Sequence, residues 1–292
     1  MFRWILSSWV MVLWLAQAAN ADYVKVSDDL TIHYEEAGSG DTVILFAPGW
    51  TMSTEVFAKQ LERFKDSTDY RFITYDPRGQ GLSSKTEGGH YYLQHGRDLN
   101  AFIQALGLQN IVLGGWSYGT NEVLAYVNQF GADALKGFVI IDGSPKATGQ
   151  DNATEWVWYR HDDADGFEQF FTMGPLVDRH GTNVEFAKWM LEDQSEANID
   201  WVLGITNQTS DSVAALLNAA GTFDDFTADL KAMEGKVPLL YVVREEWDQI
   251  VSAWAQEHTP SATVVAMGKH LMFWERPAEF NAALDRFLKT IK

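Results

Sequence analysis

Apolar residues fall into short unbroken runs along this chain, separated by stretches in which they recur every three or four positions. "TVILFA" (42–47), "RFITYD" (71–76), "NIVLGG" (110–115), "GFVIID" (137–142), "VPLLYVV" (237–243) and "ATVVAM" (262–267) are of the first kind. Such runs, with almost no polar alternation, read as strands buried on both faces. "YVKV" (23–26) and "LTIHYEE" (30–36) read as an opening pair of strands. Helical spacing marks 54–64, 91–106, 119–130, 249–257 and 277–290. The alternation predicts an α/β architecture, a mostly parallel eight-stranded sheet flanked by helices through right-handed crossovers.

One interval breaks the rhythm. About 94 residues separate Asp142 from Val237, where a crossover needs only about a dozen. The excess is expected to be an inserted helical lid over residues 145–232, between core segments 22–144 and 233–292. Aromatic residues crowd it, among them Trp156, Trp158, Tyr159, Phe167, Phe170, Phe171, Phe186, Trp189 and Trp201. They either pack the lid on the core or line a substrate pocket. Trp156, Trp189 and Trp201 are the pocket candidates. Trp156 and Trp158 lie two apart and would not share a helix face. On a helix Tyr159 gives the Trp156 side the more apolar neighbours, which places Trp156 nearer the pocket.

The first residues stand apart from this pattern. "MFRWILSSWVMVLWLAQAANA" carries Arg3, an apolar run and a small-x-small end at Ala19 to Ala21. It reads as a secretory signal peptide cut after Ala21, in a bacterial style that implies a periplasmic or secreted protein. The apolar run is short for a spanning helix, so no stable membrane anchor is expected after cleavage. The 292-residue chain has a formal charge of −18 and no cysteine. Its acidity excludes nucleic acid and bare anionic membrane as natural partners. A small-molecule substrate is the partner expected; the oligomeric state is not legible.

In an open parallel sheet, ligands sit beyond the carboxyl ends of the strands, so chemistry belongs just after strands. Ser117 meets this condition in "GGWSYG", between the end of an apolar run and the start of a helix. Gly115 and Gly119 allow a sharp turn that exposes the hydroxyl of a nucleophile; the plainer reading is a turn that simply needs glycines. Of seven histidines only His270 follows a strand's carboxyl end, which makes it the candidate base. None shows metal-ligand spacing, and no cofactor is expected. An acid must fix the base's tautomer. Asp248, after "PLLYVV", is the primary choice; Asp142, Glu245 and Glu246 also follow strands and stay as alternatives. Backbone N–H groups of Tyr118 and of Trp50, in "APGWTMS", would form an oxyanion hole.

Four stretches together resemble the α/β-hydrolase superfamily: "APGW", "YDPRGQGLSS", "GGWSYG", and "REEWDQIV" with "GKHLMFWERPAEFNAALDRFL". They carry the match over nearly the whole chain outside the leader and lid. The Trp50 loop and the tail look most like the branch of small esterases and cofactor-free haloperoxidases (perhydrolases). The chain departs from the family in having Pro48 before Gly49, where histidine is usual, and Glu245 where glycine is frequent. Serine at the elbow disfavours members that use aspartate there. The resemblance implies a metal-free serine hydrolase acting on an uncharged, partly apolar carboxylic ester or lactone through an acyl-enzyme. Alternatives are a haloperoxidase or a carbon–carbon bond hydrolase using the same triad, or a hydrolase-like ligand-binding protein with vestigial turnover.

Overall fold

The structure, a computed structural model, describes residues 20–291. The expected leader therefore lies almost entirely outside the described residues. Its last two residues, Asn20 and Ala21, open the first strand, where they stand opposite Glu36 and Glu35.

The apolar runs form one sheet. Its strands are β1 (Asn20–Lys25), β2 (Thr31–Gly38), β3 (Thr42–Ala47), β4 (Tyr70–Tyr75), β5 (Ile111–Trp116) and β6 (Leu135–Ile141), completed later in the chain by β9 (Leu239–Val243) and β10 (Thr263–Ala266). The spatial order is β1-β2-β4-β3-β5-β6-β9-β10. Only the β1–β2 and β2–β4 pairings are antiparallel; the rest are parallel. The lack of polar alternation now has its cause, because every residue of β5 and of β9 is buried. Helices Tyr92–Ala105, Gly119–Phe130, Asp248–His258 and Pro277–Leu288 lie close to the expected spans.

Between β6 and β9 the chain leaves the sheet. A short strand pair, β7 (Thr148–Gly149) and β8 (Tyr159–Arg160), is followed by helices including Arg179–Met190, Glu196–Thr206 and Asp211–Phe223. The two ends of the excursion meet, since the Phe226 N–H donates to the Pro145 carbonyl at 2.8 Å. A long insertion with adjoining ends leaves β6 and β9 free to pair directly.

The segment around Trp156 is not helical. Its backbone runs through turns into β8, so helix-face neighbours do not decide where its tryptophans point. Trp156 is 1% exposed and packs on Tyr241 and Trp254, each at 5.0 Å between ring centroids. The expected placement of Trp156 in the pocket is corrected: it anchors the insertion to β9 and to the helix behind it. Trp201 is corrected too. It stacks on Trp274 at 4.0 Å and does not line the cavity described below.

Candidate active site

Ser117 follows β5 and precedes the helix Gly119–Phe130. Its φ is +54°, a left-handed conformation that costs a residue with a Cβ about 1–2 kcal/mol. The flanking glycines are required by space. A Cβ on Gly115 would come within 2.3 Å of the Gly119 carbonyl oxygen, and one on Gly119 within 2.4 Å of the Pro48 oxygen. The helix thus starts almost on top of the strand. The Ser117 N–H donates to Ile141 at 2.9 Å, tying the turn to the end of β6.

Asp142 is the residue just after β6, and it too has a left-handed φ, +40°. That turn brings its carboxylate to His270, whose Nδ1 lies 2.5 Å from Oδ2. His270 stands in the loop after β10, where the indole N–H of Trp116 donates to its carbonyl at 2.9 Å. The residue before the serine therefore also holds the backbone of the histidine. His270 is 1% exposed, and among the described residues its Nε2 has no hydrogen-bond partner.

This arrangement corrects the expectation that Asp248 orients His270. Directly after β9 the chain enters a tight helical turn, Glu245–Trp247, and Asp248 opens the next helix. Trp247 is buried by that turn, while Asp248 faces solvent and accepts a hydrogen bond from Ser252 Oγ at 3.3 Å. Glu245 is occupied with the Gly268 N–H and with Arg276, at 3.2 Å each. The acid at His270 is the one beside the elbow strand, one strand nearer than expected.

Electrostatics favour a charged acid and a neutral base. Burial alone would push the Asp142 carboxyl upward, but Arg244 and the His270 hydrogen bond outweigh it and hold the group below its usual value. Burial pulls His270 below the ordinary histidine value and Arg244 adds to this, against the opposing pull of Asp142. A neutral imidazole with Nδ1–H donated to a carboxylate leaves Nε2 as a proton acceptor, which is the state a general base needs.

Trp50 and Tyr118 flank the serine from two loops. Among the described residues neither backbone N–H donates to a protein acceptor, and both residues line the same cavity as Ser117. The Trp50 ring is fixed by its indole N–H on the Ala214 carbonyl at 2.7 Å.

The cavity measures about 490 Å³. Its wall is mostly aromatic, with Trp158, Phe167, Phe170, Phe171, Phe186, Trp189 and Trp247 joining Trp50 and Tyr118. Trp189, expected here, packs on the His270 ring at 4.5 Å. Trp158 meets His270 edge-on at 5.6 Å and Tyr118 at 6.3 Å. Polar groups are few: Asn152, Glu185, Asn218, Arg244 and Glu246. Sequence reasoning missed Arg244, Trp247 and the pocket position of Trp158. Arg244 had a legible signal, a cation directly after a strand. The preference for Trp156 followed from assuming a helix.

The fold and this arrangement of strand-end residues define an α/β hydrolase. The family model described as the α/β-hydrolase fold matches residues 42–178, and the eight-stranded, mostly parallel sheet flanked by helices agrees with that fold. It is similar to a putative non-heme chloroperoxidase of Synechocystis sp., at 28% identity over 91% of this chain and 99% of that protein. A bifunctional esterase/perhydrolase of Acinetobacter calcoaceticus is 27% identical over 86% of this chain and 90% of its own length. The crystal structure of a bromoperoxidase from Bacillus anthracis superposes with a TM-score of 0.80 at 25% identity, covering 92% of this chain and all of that one.

Proposed function

We propose that the protein is a serine hydrolase that cleaves a carboxylic ester or lactone. The observation that carries the reading is the 2.5 Å contact of His270 with Asp142, whose chain neighbour Ile141 accepts the N–H of the left-handed Ser117, a residue that lines an aromatic cavity. Ser117 Oγ attacks the acyl carbonyl as His270 Nε2 takes its proton. Trp50 and Tyr118 N–H groups receive the oxyanion. Collapse of the tetrahedral intermediate passes the proton from His270 to the leaving alkoxide and leaves an acyl-serine. Water, deprotonated by the same nitrogen, then releases the acid. The aromatic wall suits an uncharged, partly apolar substrate. Peroxide in place of water at the second step would release a peracid, and the chloroperoxidase and perhydrolase relatives keep that second reading open.

Turnover of a panel of acyl esters and lactones, with and without peroxide, tests the proposal. Hydrolysis is expected to be fastest for substrates with a large apolar acyl group; ligand retention without turnover would contradict it. Trp158→Ala is expected to lower kcat/KM for a long-chain or aryl ester about 10–150-fold while acetate loses far less, the scale of about 1.5–3 kcal/mol of apolar contact. Trp156→Ala should instead act on stability, by about 3–5 kcal/mol, seen as a lower Tm with an unchanged substrate order among folded molecules. Export belongs to the same proposal: N-terminal sequencing of the mature protein should begin at Asp22, and an intact Met1 in a membrane fraction would refute it.

A further inference from the structure

Arg244 has no part in the chemistry so far, yet it touches the acid twice. Its backbone N–H donates to Asp142 Oδ1 at 2.9 Å, and its Nη1 donates to Oδ2 at 2.9 Å. Oδ2 is the same oxygen that receives His270 Nδ1. The guanidinium lies over Trp247 at 3.8 Å, Trp158 at 5.0 Å and Trp189 at 5.3 Å, three faces that fix its plane through cation–π contact.

We propose that Arg244 is a positioning residue that clamps Asp142, so that Oδ2 stays aimed at His270. The proposal rests on the serine-hydrolase reading above and adds a member to its machinery. A carboxylate with no exposure to water needs charge-assisted partners, or it protonates and loses its hold on the imidazole. One neutral histidine cannot meet that need. Arg244 supplies the missing charge, and its two donors stop the carboxylate from rotating. The rival role, an anchor for an anionic substrate, fits poorly. The arginine is already paired to Asp142, Glu246 Oε2 stands 3.9 Å from its Nε, and Glu185 and Glu246 line the same cavity. An added substrate anion would meet two carboxylates there.

The test is the rate at which a fluorophosphonate inactivates the full-length protein, measured in two backgrounds. In the otherwise native protein, Arg244→Gln is expected to slow inactivation about 10–100-fold, the scale of a misplaced catalytic group. Arg244→Lys, which keeps the charge and the backbone donor, should recover most of that loss. In an Asp142→Asn background, Arg244→Gln should change the rate less than about twofold, because a residue that acts through Asp142 has nothing left to act through. Rates are taken per folded molecule. If Arg244→Gln does not fold, Arg244→Lys in the two backgrounds gives the same comparison, with a loss of several-fold expected only where Asp142 is present. Equal losses in both backgrounds, or no loss in the native one, would overturn the clamp. A native protein that the probe does not inactivate would remove the triad reading itself, and the clamp with it.

Discussion

Ser117→Ala is expected to lower kcat for the best ester of the panel by about 10⁶-fold, the scale on which removal of a triad nucleophile acts. The fold should survive the change. The strain at φ +54° belongs to the backbone, and alanine bears it as serine does. The serine N–H that ties the turn to Ile141 is kept. A Tm close to that of the native protein would show that chemistry alone was lost. Turnover should remain above the reaction in water, since the proposed Trp50 and Tyr118 donors and the cavity are intact. A variant within tenfold of native activity would place the nucleophile elsewhere.

The second large effect separates two carboxylates that sequence order could not. Asp142→Asn should lower kcat about 10⁴-fold, because an amide facing Nδ1 favours the tautomer with its proton on the wrong nitrogen. Asp248→Asn should leave kcat within about twofold, because that side chain faces solvent and pairs only with Ser252 among the described residues. Asp142→Asn also strands Arg244 in a buried setting without its counter-charge, so some stability is lost with the activity. Rates must therefore be normalised to folded protein. Collapse in Asp248→Asn with near-native Asp142→Asn would reverse the assignment.

The sheet was legible because burial on both faces leaves no room for polar residues. "TVILFA" coincides with β3, and the ends of the other runs lie within three residues of those of their strands. Ser117 was legible because its turn needs glycine on each side. His270 stood out because it alone among the histidines closely follows one of the apolar runs read as strands. The acid was harder. Both Asp142 and Asp248 follow strands, and the choice depends on local backbone geometry. A left-handed turn carries Asp142 inward, whereas the tight turn over Glu245–Trp247 spends the space after β9 on burying Trp247 and delivers Asp248 to the surface. Spacing along the chain does not encode that difference. The segment between β6 and β9 was the least legible part. Its aromatic residues are equally suited to core and cavity, and the turned backbone, not a helix face, decides that Trp158 rather than Trp156 lines the cavity.

The most direct measurement is peptide mapping of the fluorophosphonate adduct on the native protein by mass spectrometry. The expected result is one adduct, on the peptide that carries Ser117, formed more slowly by about four orders of magnitude in Asp142→Asn. An adduct on any other serine, or equal labelling of the native and Asp142→Asn proteins, would contradict the assignment of Ser117, His270 and Asp142 as the catalytic set.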